Sequence, residues 1–312
     1  MYTTGTSTDY HDLLDDLQTW LVGTAGWTQK AWVHPVGIDQ TWTLQLEAPG
    51  NGATARVYVN IDTVCNIGNG TYSWRLYGAT GYSAGIGLPL QQGAGGPALF
   101  NLSQNSISYW FYANDRRFIV IAKTGTNYMS CYCGFILPFA LPSEYPFPLA
   151  IIGSYPVEAL PSVNNARNSS IADPGSDGAA WYRRRTTETW IQIKNHGNSS
   201  SSVYPVVGAR AFMWPHKTGR NSPSGVTTNP NYWSSGGFNN MKLNANDEAP
   251  LIQCHIVDTE NRTIVGALDG VYSTTGFNRS TEQEVTNGSR TFTLFQRAFR
   301  NSAGDFFAVE EV

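Results

Sequence analysis

Charge is scarce in this sequence. Only 14% of its 312 residues are Asp, Glu, Lys or Arg, and the formal net charge is −3. Apart from Arg183-Arg184-Arg185, no run of basic residues occurs. Because the phosphates of a nucleic acid are bound by basic surfaces, we predict that the protein has no nucleic-acid partner.

Cysteine is also scarce. The four cysteines, Cys65, Cys131, Cys133 and Cys254, are too few and too scattered for a disulfide scaffold in a chain of this size. Two residues apart in a strand, Cys131 and Cys133 face the same side, and we expect two small buried thiols there. The five histidines stand at no metal-ligand spacing. We therefore predict no metal and no cofactor.

Long hydrophobic runs are missing. The most apolar window, residues 133–153, contains four prolines and Glu144, which a membrane-spanning helix cannot accommodate. Residues 1–5 have neither the basic start nor the apolar segment of a secretory signal. These features predict a soluble protein, made in a cytoplasm, with no membrane partner.

Aromatic residues are abundant instead. They make up 13% of the chain, with 10 Trp, 16 Tyr and 14 Phe. So much apolar area predicts a packed fold, because its burial offsets the entropy lost on ordering the chain. Tyr and Trp are also enriched where proteins meet, since each combines a large apolar body with a polar tip. Low charge and many aromatics fit a subunit that shares its surface with neighbours.

One amphipathic helix is predicted, in an N-terminal arm of residues 1–26. Its apolar residues recur at steps of three and four; they are Tyr10, Leu13, Leu14, Leu17, Trp20 and Leu21. Four acids, Asp9, Asp12, Asp15 and Asp16, give this segment a charge of −4, while the rest of the chain sums to +1. The helix either packs on its own domain with a solvated acidic face or docks on a neighbouring subunit, and the pattern favours neither.

After residue 27 the pattern is that of β-strands. Residues 42–46 and 57–61 alternate around a turn at residues 49–52, and a second hairpin spans residues 108–121. We predict a mainly β fold, an antiparallel sandwich or barrel with the one N-terminal helix. Residues 27–158 would form a β domain. Residues 159–312 would form a second β region with long loops, either separate or packed into one domain with the first.

Motifs that carry chemistry are missing. The chain has no nucleophile elbow and no phosphate-binding loop. A pair of carboxylates for cleaving a polysaccharide could be drawn from Glu144, Asp173, Asp177 or Glu188, but any chain with 23 acids offers such a choice. We therefore predict that the protein is not an enzyme and has no catalytic residues.

Short motifs rich in aromatic residues and glycine occur in two parts of the chain. They are Thr8–Leu14, Gly26–Thr28, Tyr72–Leu76, Thr80–Gly85, Ser108–Asn114, Arg116–Lys123, Gly134–Pro138, Pro142–Pro146, Leu268–Tyr272 and Gly276-Phe277. Together they resemble a widespread structural protein family of tailed-bacteriophage virions. The resemblance covers most of residues 8–155 and again about 265–310, and it does not extend over residues 160–250.

The resemblance implies a structural subunit located in the virion. We expect a ring of identical copies, of six-fold or twelve-fold symmetry, in the neck or collar, with other phage neck and tail proteins as partners. The residues predicted to make the contacts belong to the helix; they are Tyr10, Leu13, Leu14, Leu17, Trp20, Leu21, Asp12, Asp15 and Asp16. The alternative is a tail-tip or baseplate protein that binds a host glycan through Trp214 and Trp233.

Overall fold

The computed structural model describes residues 1–37, 39–52, 55–154, 170–174, 179–194, 210–215, 250–276, 278–298 and 306–311. Within these residues the chain is mainly β, with three antiparallel sheets and one α-helix near the N-terminus. The predicted fold class is confirmed.

The elements follow one another along the chain with short connections. They are β1 (Tyr2–Ser7), α1 (Tyr10–Gly23), β2 (Thr28–Val33), β3 (Thr43–Ala48), β4 (Val57–Asn66), β5 (Thr71–Ala79), β6 (Gly95–Leu102), β7 (Ile107–Ala113), β8 (Arg117–Thr124), β9 (Asn127–Phe135), β10 (Leu137–Pro138), β11 (Leu149–Ile152), β12 (Ala180–Arg183), β13 (Trp190–Gln192), β14 (Ala211–Trp214), β15 (Ile252–Asp258), β16 (Thr263–Thr274), β17 (Glu284–Asn287), β18 (Arg290–Gln296) and β19 (Phe306–Glu310).

The strands form three sheets. Sheet A has the order β1-β7-β8-β9-β11-β12-β13, and sheet B has the order β2-β3-β4-β5-β6. Sheet C has the order β14-β15-β16-β19-β18-β17, and β10 pairs with β16 beside it. Sheet A lies between the other two, so the sandwich has three layers.

Sheet A is buried on both faces. Along β8, Phe118 and Val120 point into the core shared with sheet B, while Ile119 and Ile121 point into the core shared with sheet C. Successive residues of a strand face opposite sides, so a middle sheet needs apolar side chains at every position. This explains why residues 118–122 form an unbroken apolar run rather than the alternation of a two-layer sandwich.

Helix α1 packs against the core between sheets A and B. Asp9 caps its first turn by accepting hydrogen bonds from the backbone N–H groups of His11, at 2.7 Å, and Asp12, at 3.0 Å. The Trp74 indole donates to the Tyr10 carbonyl at 2.8 Å and so ties the helix to sheet B. The predicted helix is confirmed, and its cap is the Asp that the sequence placed there.

The three segments predicted at residues 1–26, 27–158 and 159–312 all contribute to sheet A. Strand β1 comes from the first segment, β7 to β9 and β11 from the second, and β12 and β13 from the third. Across the predicted boundary, Ala150 of β11 pairs with Tyr182 of β12. The hydrogen-bonded sheet is therefore continuous through all three segments.

The cysteine prediction is confirmed. Cys131 and Cys133 point to the same face of β9 and are fully buried in the core between sheets A and B. Burial raises the pKa of the Cys133 thiol, and its neighbour Cys131 raises it further. Both thiols therefore act as small apolar core groups, and all four cysteines are free.

One ion pair is almost completely removed from water. The Arg297 guanidinium pairs with the Asp173 carboxylate, and each side chain is only 1% exposed. Asp173 belongs to the short described segment 170–174, while Arg297 follows β18 of sheet C. The pair therefore holds a connecting segment onto the layered core, and removing either charge would leave the other buried alone.

We predict that Arg297→Met lowers the free energy of unfolding by about 3–5 kcal/mol, because it leaves the Asp173 carboxylate without its cation. Lys123→Met is the matched control, since Lys123 pairs with Glu282 at the surface, where both side chains are more than a third exposed. It should cost at most about 1 kcal/mol. Urea unfolding of both variants checks this, and equal losses would contradict it.

Candidate functional site

The structure divides the residues predicted for a helix contact into two groups. Five apolar side chains of α1 are fully buried in the protein's own core; they are Tyr10, Leu13, Leu14, Leu17 and Leu21. Trp20 is half-buried, with its ring 5.8 Å from that of Phe111. Asp12 and Asp16 are half-buried and Asp15 is exposed. Any contact that the helix makes with another molecule therefore has to use Trp20 and the acids.

The acids of α1 are held by neighbouring hydroxyl and amide groups. The Ser7 hydroxyl donates to Asp16 at 2.6 Å, and the Thr8 backbone N–H donates to Asp12 at 2.7 Å. Partial burial raises the pKa of Asp16, and the hydrogen bond from Ser7 opposes that change. Among the described residues, no Lys or Arg forms an ion pair with these helix acids. The helix therefore presents uncompensated negative charge.

Only one of the two predicted glycan-binding tryptophans can be placed. Trp214 is the last residue of β14, where it pairs with His255 of β15, and its side chain is 39% exposed. The sequence placed this residue in a polar loop, and that prediction is wrong because residues 211–214 pair with β15 as a strand. Trp233 lies outside the described residues.

Trp214 belongs to an apolar surface that the sequence analysis did not identify. Its ring lies 5.6 Å from that of His255, and the ring of Phe139 lies 5.7 Å from His255 on the other side. The Phe139 N–H donates to the Val265 carbonyl, which places Phe139 next to Ile264. We call Phe139, Leu141, Trp214 and Ile264 the sheet C patch.

The sheet C patch is unusually exposed for its composition. Phe139 and Leu141 are both 64% exposed, and Ile264 is 52% exposed. Isolated apolar residues at a surface need no explanation, but a group of large ones on one surface typically marks a contact with another molecule. The group is assembled from the connection after β10 and from β14 and β16, so no single stretch of sequence contains it.

The carboxylates that could have served a glycosidase are tied into separate ion pairs. Asp173 pairs with Arg297, while Glu188 lies 2.9 Å from Arg183. Glu144 lies 3.7 Å from Arg185, at an exposed position. Asp177 lies outside the described residues. The structure does not bring the three described carboxylates together around a common point.

The most heavily bonded carboxylate, Asp258, also has a structural environment. It accepts two hydrogen bonds from Arg184, at 2.7 and 3.0 Å, and a further one from the Tyr182 hydroxyl. Burial raises the pKa of Asp258, but the hydrogen bonds from Tyr182, the Asn261 backbone and Arg184 outweigh it, so the net shift is downward. A carboxylate held ionised in this way joins β12 to β15.

Among the described residues, no three His, Cys, Asp or Glu side chains are grouped so that they could hold a metal ion. The helix found in this part of the chain is too short and too polar to cross a bilayer. A comparison with protein-family models and a comparison with curated proteins each gave no match.

His11 is the titratable group at the junction of α1 and sheet B. Its ring stacks on Trp42 at 4.5 Å and shares a hydrogen bond with the Thr63 hydroxyl at 3.1 Å. Burial lowers the pKa of His11, and the nearby Asp9 only partly opposes this. The unfolded chain therefore takes up this proton at a higher pH than the folded protein does.

We predict that the stability of the protein falls as the pH drops through about 6.5, the pKa of an unperturbed histidine. Below that pH the unfolded state binds more protons than the folded state, and the free energy of unfolding decreases. His11→Gln should reduce this decrease, whereas His34→Gln, at an exposed histidine, should leave it unchanged. Urea unfolding between pH 8 and pH 5 measures the slopes, and the same slope in His11→Gln and the parent protein would contradict the assignment.

Proposed function

We propose that this protein is a structural subunit of a tailed-phage virion, located in a ring of identical copies in the neck or collar. The sheet C patch is the observation that carries the proposal. A surface on which large apolar side chains are more than half exposed favours burial against another protein, at roughly 25 cal/mol for each Å² removed from water.

The treatment of charge supports the same proposal. The described ion pairs join neighbouring strands or connections, as Arg184 and Asp258 do, rather than converging on a cleft. An assembly subunit needs extended complementary surfaces more than it needs a group with a strongly shifted pKa. The motifs that resemble the phage virion family agree with this interpretation, and with the virion as the location.

We predict that the purified protein self-associates in a concentration-dependent way and that Phe139→Asp weakens the association at least tenfold, because a carboxylate would be buried in the contact. Leu90→Asp is the matched control; Leu90 is also a large exposed residue, at 77%, but it lies in the loop between β5 and β6. Sedimentation velocity measures the association. A second assay is mass spectrometry of purified particles, and a monomeric protein that is also absent from the particles would refute the proposal.

A second candidate function is the binding of a host glycan at the tail tip or baseplate. The specific observation in its favour is the exposed indole of Trp214 beside the His255 ring. An aromatic face that is open to solvent can stack on the apolar face of a sugar ring while neighbouring polar groups bind its hydroxyls.

The glycan candidate predicts that Trp214→Ala abolishes binding of the purified protein to host cells, while the unfolding midpoint changes little because the side chain is partly exposed. Trp233→Ala provides the second variant of the original pair. Binding to intact host cells and to a glycan array measures the effect. Cell binding that persists in the double variant would remove this candidate and leave the assembly role untouched.

A further inference from the structure

A second exposed apolar surface lies in another layer of the protein. Val33, at the end of β2, is 55% exposed, and Val36, in the connection to β3, is fully exposed. Half-buried Trp32 and exposed His34 stack on each other nearby, with their rings 5.1 Å apart. We call Val33, His34 and Val36 the β2–β3 patch. It lies at the edge of sheet B, whereas the sheet C patch lies on the third layer.

The β2–β3 patch has an acidic border. The Trp42 indole donates to the Pro35 carbonyl at 2.9 Å, and the other side of the same ring system stacks on His11 of α1. The patch therefore adjoins the start of the helix that carries the uncompensated acids Asp9 and Asp12. Asp39, in the same connection, is exposed as well.

The sheet C patch has a border of the opposite sign. Arg262 is exposed two residues before Ile264, Arg210 directly precedes β14 and is 65% exposed, and Arg185 is 47% exposed. Two acids, Glu260 and Glu144, lie beside these three arginines, so three positive and two negative charges leave a net charge of +1.

We infer that these two patches meet each other in successive copies of the chain, so that the sheet C patch of one copy covers the β2–β3 patch of the next. A patch that paired with its own counterpart would bring like charges together, whereas the two unlike patches bring an acidic border to a basic one. A contact between two different surfaces is head-to-tail, and such contacts close into rings when the rotation allows. This inference rests on the proposed self-association.

Two variants test it in combination. Phe139→Asp disables the sheet C patch, and Val36→Asp disables the β2–β3 patch; both positions are exposed, so the fold should tolerate the changes. Each variant alone should fail to assemble. A 1:1 mixture should give a heterodimer and nothing larger, because the mixture retains one intact contact between the two variants. Mass photometry of the mixture, with one variant enlarged by a fused tag, counts the species, and Leu90→Asp serves as the control that still assembles.

Each result decides a different point. A mixture that stays monomeric, or a Val36→Asp protein that assembles like the parent, overturns the head-to-tail contact while leaving self-association intact. A parent protein that never associates refutes the proposed function itself. Association should also weaken as the salt concentration rises, since the opposite charges at the borders are screened within about 10 Å at 0.1 M salt.

Discussion

The burial of sheet A on both faces is the constraint on which the rest of the structure depends. Residues 118–122 of β8 alternate between two separate cores, and the strands beside it do the same. A layer of this kind has no place for solvated side chains, so charged groups are restricted to the outer sheets, the helix and the connections. The low content of charged residues in the chain follows from this architecture rather than from a single function.

The buried charges that do occur act as ties between elements. Arg297 holds the segment around Asp173, Arg184 joins β12 to Asp258 of β15, and the fully buried Arg117 lies 3.7 Å from Asp269 of β16. Each pair connects parts of the chain that are far apart in sequence. Once these internal pairs are made, the features that remain for contacts with other molecules are the two apolar patches and the acidic face of α1.

The sequence supported predictions where the pattern is local. The apolar spacing in α1, its Asp9 cap and the hairpin of β7 and β8 depend on neighbours within a few turns or one turn, so they could be predicted. The partner of the helix could not, because spacing defines an apolar stripe without saying what it packs against. Strand β1 is built of Thr, Gly and Ser, and only its pairing with β7 reveals it. The sheet C patch escaped prediction because β10 and β16 bring Phe139 and Ile264 together from distant positions.

The alternation along sheet A also governs how the chain can fail. If β8 shifted by one residue against β9, Phe118 and Ile119 would exchange cores, and the same exchange would run through every residue of the strand. Neither outer layer could then be packed correctly, since both share their interior with this one sheet. Mispairing in the middle layer is thus felt at once on both sides, which couples the formation of sheets B and C although they share no core with each other.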